Sequence, residues 1–385
     1  MKKSRLALFS VAILVIVSIL LFFQLTSQNG SSPLLATVDY STTYSTISTL
    51  YQRQTFFANN NYWLFYSNGT NLFCTSSSDG LNWHIPTKVT SGLSASAMSI
   101  WYENDTVHYA NAGGPGSPVV YRKGQIVGNE IMWDDEQVVA QAVTTIERYN
   151  AYVTVDSSGR PWVSHMSFDS KATQNPWTVQ VTRAESSTGE TWAAPMQVSN
   201  PSFYPLRPSI YSLPNERMYA IYVSENGAEG RLWDGTSWQQ PETITNRDFS
   251  RDPSYSAASL NDEVHVTFME NGTSNVYYYK RQANGKWEET LIEAEQAEVS
   301  VPVMTVDSAK RILYILWMQA NTLQVRRMES GNWEKIGIPN LALTSPRALS
   351  AFYEVKEGKI GVAMLERISH DTEVYKLRYF VVSNL

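Results

Sequence analysis

The segment Asp234-Gly235-Thr236-Ser237-Trp238 is one copy of a short turn motif that recurs along this 385-residue chain. The other copies are Asp79-Gly80-Leu81-Asn82-Trp83, Gly189-Glu190-Thr191-Trp192, Asn284-Gly285-Lys286-Trp287 and Ser330-Gly331-Asn332-Trp333, with a looser one ending at Trp133. Successive tryptophans lie 50, 59, 46, 49 and 46 residues apart, which is the length of one β-propeller blade. Asp-Gly and Asn-Gly between apolar runs favour hairpin turns, because their central positions take positive φ.

A second repeated element is a strand, a turn and another strand, each with β-branched and aromatic residues in alternation. Its fullest copy runs from Tyr152 to Val163. The other copies are Thr55 to Tyr66, Met98 to Tyr109, Ser209 to Tyr222, Ala257 to Phe268, Val303 to Trp317 and Ser350 to Met364. Together the two elements predict a four-stranded antiparallel blade: strands a and b, a loop, strand c, the tryptophan turn and strand d.

The count of repeats predicts how the propeller closes. Seven a–b pairs are visible but only six tryptophan turns, and the last unit ends with a strand-like run, Glu373 to Val382, that has no strand d after it. The segment Leu34 to Tyr40 could supply that strand and so remove exposed sheet edges. We therefore predict an all-β fold, a seven-bladed β-propeller over residues 37–385, with six blades as the alternative. A tandem of immunoglobulin-like domains is less favoured, because no domain-sized linker interrupts this region.

The N-terminus predicts a membrane segment. Lys2, Lys3 and Arg5 precede the apolar run Leu6 to Phe23, which is long enough to span a bilayer as a helix with its basic flank in the cytoplasm. We predict one transmembrane helix that acts as a signal anchor over residues 1–23, a flexible tether over 24–36, and a propeller on the extracellular side of the cell membrane. The alternative is a cleaved signal peptide and a secreted protein.

Composition excludes several classes of function. The net charge of −6 argues against nucleic acid, which needs a basic surface. The single cysteine, Cys74, excludes an intramolecular disulfide and a zinc site built on cysteines. The five histidines are dispersed, so the sequence predicts neither a metal site nor a cofactor.

The tryptophan turns resemble the Asp-box of the sialidase (neuraminidase) superfamily, Ser/Thr-x-Asp-x-Gly-x-Thr-Trp. The closest copy is Glu185 to Trp192, which keeps the Gly, Thr and Trp but has Ser187 at the Asp position. The resemblance implies a structural role for these turns, in which polar groups tie the c–d turn and the tryptophan packs between strands. The residues concerned are Asp79, Trp83, Gly189, Trp192, Asp234, Trp238, Gly285, Trp287, Gly331 and Trp333.

The same resemblance implies that ligands bind where strand a begins and strand b ends. The candidate rim residues there are Arg148, Tyr149, Tyr204, Arg207, Arg251, Tyr255, Glu298 and Arg347 before or at strand a, and Asp169, Glu225, Glu270 and Glu366 after strand b. If Arg207, Arg251 and Arg347 converge, they could hold a carboxylate as the sialidase arginine triad does. Neighbouring carboxylates could then serve as acid or base.

The sequence also departs from that family. The segment Thr49 to Gln54, which corresponds to the family's Arg-Ile-Pro motif, offers only Arg53 with no proline after it, and no acid-bearing loop is identifiable in the first two blades. No catalytic residue can be named, and the sequence favours a binding protein over an enzyme. The first hypothesis is a propeller that binds a glycan, peptide or protein partner at its axial face. The alternatives are a sialidase-like glycoside hydrolase acting on an acidic sugar, and a structural component of a cell-surface assembly.

Overall fold

The computed structural model describes residues 34–47, 53–91, 98–224, 227–247, 255–294, 300–338, 341, 346–369, 372–383 and 385. Within these residues the strands form seven antiparallel sheets, accompanied by one short 3-10 helix, Tyr44–Ile47. The predicted all-β propeller is confirmed, and the seven sheets exclude the six-bladed alternative. No helix among the described residues is long and apolar enough to cross a membrane, and the predicted segment 1–23 lies outside them.

Each blade has the predicted order of strands a to d, from the axis outward. Strand a of blades 1 to 7 is β2 Thr55–Ala58, β6 Met98–Glu103, β11 Ile146–Val155, β15 Arg207–Leu213, β19 Tyr255–Leu260, β23 Val303–Asp307 and β27 Pro346–Ala351. Strand b is β3 Asn61–Ser67, β7 Thr106–Ala112, β12 Pro161–Asp169, β16 Arg217–Ser224, β20 Glu263–Met269, β24 Ile312–Gln319 and β28 Ile360–Ser369. Strand c is β4 Asn71–Ser77, β8 Val119–Val127, β13 Trp177–Arg183, β17 Gly227–Trp233, β21 Val276–Arg281, β25 Thr322–Glu329 and β29 Thr372–Val382. Strand d is β5 Thr87–Ser91, β10 Gln137–Ala140, β14 Met196–Gln197, β18 Glu242–Thr245, β22 Trp287–Glu293, β26 Asn332–Lys335 and, for blade 7, β1 Ala36–Ser41.

The N-terminal strand closes the ring as predicted. β1 pairs antiparallel with β29, with Ala36 opposite Tyr379 and Ser41 opposite Tyr375. Blade 7 is therefore built from both ends of the propeller: β1 covers the outer edge of β29 and becomes the outermost strand, as strand d is in the other blades.

The a–b and c–d turns lie on one side of the disc, which we call the turn face, and the b–c and d–a connections lie on the other, the loop face. Asn104 and Asp105 both have positive φ in the a–b turn of blade 2, as Asn59 and Asn60 do in blade 1. This is the backbone of a two-residue hairpin turn that suits the strand twist. The d–a connections at 48–52, 92–97, 248–254, 295–299 and 342–345 lie outside the described residues.

Aspartates hold two of the c–d turns. Asp79 accepts hydrogen bonds from the backbone N–H groups of Leu81 and Asn82, both at 2.8 Å, and Asp234 does the same for Thr236 and Ser237. These bonds favour the ionised form and lower the pKa of both aspartates. Each turn thus satisfies backbone donors that the bend removes from the ladder.

The tryptophan of each turn packs on an aromatic residue of the preceding blade. Trp83 lies 4.7 Å from Tyr379, Trp192 lies 5.1 Å from Tyr121, and Trp333 lies 5.0 Å from Tyr278, between ring centroids. The remaining pairs are Trp133 with Phe65, Trp238 with Trp162 and Trp287 with Tyr219. We call these six residues the wedge tryptophans. Trp133 fits the motif loosely because blade 2 has an extra hairpin strand, β9 Glu130–Trp133, paired with β8.

Candidate ligand site on the propeller axis

A cavity of about 470 Å³ opens on the turn face at the propeller axis. Inner-strand ends and a–b turns from all seven blades contribute to its wall. From blade 1 to blade 7 these include Phe57, Glu103, Asp156, Ser212, Ser259, Ser308 and Tyr353. The volume lies within the range typical of small-molecule sites.

Arg53 lies in this cavity, and two of its three guanidinium nitrogens have no hydrogen-bond partner among the described residues. Its side chain reaches among aromatic rings from several blades: the guanidinium carbon is 3.4 Å from the ring centroid of Tyr353, 4.0 Å from Trp101 and 5.4 Å from Tyr152. Arg53 is only 9% exposed, and its Nη1 and Nη2 are buried without a hydrogen-bond partner. The aromatic faces offset part of the cost of burying a cation. They leave two strong donors unsatisfied, which is costly in the absence of an acceptor.

Tyr353 is held in place across the ring of blades. Its hydroxyl accepts a hydrogen bond from the Ser259 amide of blade 5 at 3.2 Å and donates to the Ser259 carbonyl at 3.0 Å. Its own carbonyl accepts from the Val306 amide of blade 6 at 2.9 Å. The segment that follows β27 is therefore tied to two other blades, and the Tyr353 ring has a fixed position against both Arg53 and Trp101.

Three carboxyl groups, those of Glu103, Asp156 and Glu354, line the cavity, and the first two have different environments. Glu103 accepts a hydrogen bond from the Trp101 indole at 2.9 Å, and burial, with the nearby charge of Asp156, raises its pKa. Asp156 is 1% exposed. Burial raises its pKa, but hydrogen bonds from Trp162, Ser158 and Arg160 outweigh that effect and lower it overall. Asp156 is thus a satisfied structural carboxylate, whereas Glu103 can contact a ligand.

The arginines and tyrosines predicted for the loop-face rim are described in part. Arg148 is 6% exposed, and its Nε and Nη1 have no hydrogen-bond partner. Tyr149 donates to Glu147. Arg207 is half-buried with Nη1 3.9 Å from the Met166 sulfur, and Tyr255 donates to the Arg207 carbonyl at 3.0 Å.

The predicted rim carboxylates are engaged with other groups. Glu270 accepts from Arg247 at 2.8 Å, Glu366 pairs with Arg378 at 3.3 Å, and Asp169 accepts from the Lys171 amide at 2.9 Å. Arg251, Glu225 and Glu298 lie outside the described residues, as does the side chain of Arg347. Convergence of the three rim arginines therefore stays a prediction.

Sequence reasoning did not find the Arg53 site. In the sequence, Arg53 was notable only as part of a family motif that lacks its proline. Trp101 and Tyr353 lie inside copies of the a–b repeat, where nothing marked them as ligand-binding residues. The available signal was an arginine two residues before an inner strand, which is a position close to the propeller axis. In the described part of the chain, no group of three or more His, Cys, Asp or Glu side chains is placed to hold a metal ion.

No protein-family model matches this chain, and no curated protein matches it. Solved structures do. Polysaccharide lyase Uly1 aligns with a TM-score of 0.53 at 9% identity, over 86% of this chain and 90% of that one. The chain shares its β-propeller fold.

Other solved propellers align less closely. The α-L-arabinanase of Penicillium chrysogenum aligns with a TM-score of 0.49 at 12% identity, covering 92% of this chain and 99% of that one. The NanB sialidase of Streptococcus pneumoniae has a TM-score of 0.45 at 10% identity and covers 89% and 70%. Alignments at such low sequence identity show a shared fold and do not show a shared function. The predicted propeller is confirmed at that level, and the Asp-box character of the turns stays a prediction.

Proposed function

We propose that this chain is a glycan-binding propeller whose axial cavity takes an acidic sugar on Arg53. The observation that carries the proposal is the buried pair of unsatisfied donors, Nη1 and Nη2. A carboxylate matches the planar fork of a guanidinium with two parallel hydrogen bonds. A ligand carboxylate would supply both missing acceptors and neutralise the buried charge.

The wall of the cavity suits a sugar attached to that carboxylate. Trp101 and Tyr353 offer aromatic surface, while Ser212, Ser259 and Asn261 offer hydroxyl and amide groups. Specific small-molecule sites typically combine apolar surface with a few placed polar groups. The polysaccharide lyase that shares the fold acts on a glycan, as its name says, which supports a glycan over a peptide.

The proposal includes an extracellular, membrane-anchored location. β1 begins at Ala36 opposite Tyr379, near the end of strand c, so the chain enters the propeller from the turn face. The predicted tether of 13 residues, 24–36, reaches at most about 45 Å when extended. If residues 1–23 span a membrane, the cavity mouth lies on the side that the tether enters, and glycans at the cell surface are the ligands within reach.

Glycan-array binding of the full chain in detergent micelles tests the proposal. We expect binding to oligosaccharides that carry uronic or sialic acids, with a loss on the order of a hundredfold in Arg53→Gln and a smaller loss in Arg53→Lys. Arg148→Gln is the matched control, because it removes a buried arginine from the loop face. Equal binding to the same oligosaccharides with their carboxylates amidated would contradict the proposal.

The glycoside hydrolase remains a second candidate, supported by the unpaired Nε and Nη1 of Arg148 on the loop face. This candidate predicts that the parent chain hydrolyses a fluorogenic sialoside. Arg148→Gln or Arg207→Gln should abolish that hydrolysis, and Arg53→Gln should not change it. Silence in both the array and the turnover assay would instead favour the structural cell-surface component.

A further inference from the structure

We infer that the loop face carries a second site, a groove between blades 3 and 4 that binds a neutral sugar ring. The groove has a volume of about 360 Å³ and lies between the d–a connection after β14 and the adjoining ends of strands b and c of blade 4, at Ser224 and Gly227. It is on the opposite face from the Arg53 cavity and shares no lining residue with it. The inference does not depend on the function proposed for that cavity.

An exposed aromatic platform forms one side of the groove. Phe203 is 68% exposed, although large apolar side chains usually gain by burial, and the edge of Tyr204 packs against it with ring centroids 5.1 Å apart. The flat C–H face of a sugar ring is a natural cover for such a platform. Lining amides on Asn175, Asn200 and Asn246 can reach the ring hydroxyls.

The backbone under the platform is fixed before any ligand arrives. Both the amide and the carbonyl of Ser202 bond to Trp177 of blade 3, at 2.8 and 3.1 Å, and the Ser202 hydroxyl accepts from the Tyr204 amide at 3.1 Å. On the other side, Gly227 has φ of +137°, and a Cβ there would lie 2.5 Å from the Thr245 carbonyl. Such preorganisation lowers the entropy cost of binding.

A buried hydroxyl lines the groove beside a carboxylate. Tyr222 is 2% exposed, and its hydroxyl makes no hydrogen bond of ordinary geometry, although it interacts with the side chain of Glu229 on the neighbouring strand. Burial, the charge of Glu229 and the interaction with its side chain raise the pKa of Tyr222, so the phenol keeps its proton at ordinary pH. Buried tyrosine hydroxyls normally have a partner, and a sugar hydroxyl in the groove would provide one.

The charge of the groove selects the class of ligand. Among the described residues that line it, Glu229 is the one acidic residue, and no lysine or arginine is present. A carboxylate or sulfate on the ligand would meet only negative charge there. The groove therefore suits a neutral sugar, whereas the Arg53 cavity suits an acidic one.

Saturation-transfer NMR on the full chain in detergent micelles tests the inference, with neutral disaccharides of glucose, galactose, mannose, xylose and arabinose as probes. We expect at least one to bind, with affinity reduced about tenfold or more in Phe203→Ala. Tyr222→Phe removes only the hydroxyl and should also weaken binding, while its melting temperature stays equal to or above that of the parent.

Two controls separate this site from the rest of the molecule. Tyr40→Ala removes an aromatic residue that is 55% exposed outside the groove, and Arg53→Gln disables the axial cavity; both should bind the neutral disaccharide as the parent does. The inference is overturned if no neutral disaccharide binds the parent chain, or if Phe203→Ala and Tyr222→Phe bind it unchanged. Loss of acidic-glycan binding in Arg53→Gln alone bears on the proposed function and not on this groove.

Discussion

The wedge tryptophans and the Arg53 cavity both use aromatic rings from different blades, yet they differ in what the rings surround. Each wedge tryptophan contacts another aromatic ring, as Trp333 contacts Tyr278, and the arrangement recurs at six blade interfaces. The rings of Trp101 and Tyr353 instead surround one cation whose donors have no partner. Periodic contacts of this kind hold the fold together, whereas a single unsatisfied group among fixed rings indicates a ligand.

The interface between blades 6 and 7 shows why the wedges are structural. Blade 7 takes its strand d from β1 and its strand c from β29, so no c–d turn joins these two strands. The sequence also has no tryptophan after Trp333 that could form a seventh wedge. Here Leu316, Val362 and Phe380 belong to one continuous aliphatic and aromatic core instead. The wedge is thus a property of the turn, and it is replaced where the turn is absent.

The largest expected effect is acid destabilisation at two wedge interfaces. His265 Nδ1 lies 2.7 Å from the hydroxyl of Tyr278, on which Trp333 packs, and His108 Nδ1 lies 2.7 Å from that of Tyr121, on which Trp192 packs. Burial lowers the pKa of His108 to about 4 and that of His265 to about 3, and Lys123 and Lys280 add to the effect.

Because both pKa values are lower in the folded state, the unfolded chain binds more protons below pH 6.5. The free energy of unfolding therefore decreases as the pH drops from 6.5 to about 4 for His108 and to about 3 for His265. Each histidine should cost on the order of 3 kcal/mol at the acid end. Chemical unfolding at pH 7 and pH 4.5 measures the change, which should be smaller in His265→Asn and in His108→Asn. An unaltered difference between the two pH values in both variants would show that other groups, such as Glu263 at 3.5 Å from His265, dominate.

The next largest effect separates the two regions directly. Trp333→Ala removes most of an aromatic contact at the boundary of blades 5 and 6 and should lower the free energy of unfolding by about 2 to 3 kcal/mol. Binding of an acidic glycan to the Arg53 cavity should remain, measured below the unfolding transition. Trp333→Phe is the control and should lose less stability; equal losses in both would mean that the wedge contributes little through its ring area.

Arg53→Met is expected to act in the opposite direction. Replacing a buried, unpaired guanidinium by an apolar side chain of similar length should raise the free energy of unfolding by about 1 to 2 kcal/mol, while acidic-glycan binding is lost. Thermal unfolding paired with the glycan array measures both. A destabilised variant would indicate that Arg53 serves the fold and would remove the contrast with the wedges.

The sequence predicted the wedges and not the cavity for a physical reason. Turn chemistry and blade length place Trp192, Trp238 and Trp287 at nearly regular intervals, and such a repeat can be recognised in a single sequence. The closure by β1 followed from the same count of strands. Such features are local or repeated, so the chain itself displays them.

The cavity depends on long-range contacts with no period. Arg53 and Tyr353 are 300 positions apart, and their contact exists only because β1 and β29 close the ring. The resemblance to sialidases predicts a site on the loop face, where Arg207 and Arg148 are described and Arg251 is not. Which mouth holds the ligand depends on burial and on unsatisfied donors, and neither can be seen before the chain is folded.

The smallest effect concerns how firmly the Tyr353 ring is held. Tyr353→Phe keeps the ring under Arg53 but removes the hydrogen bonds to Ser259 at 3.2 and 3.0 Å. We expect a loss of about 1 kcal/mol in the free energy of unfolding and a severalfold weaker affinity for an acidic glycan, because the ring no longer has one fixed position. Calorimetric titration of Tyr353→Phe against Tyr353→Leu, which also removes the aromatic face, separates the two contributions. If Tyr353→Phe binds as weakly as Tyr353→Leu, the hydroxyl and not the cation–π contact positions Arg53, and ring faces would then matter at the wedges but not in the cavity.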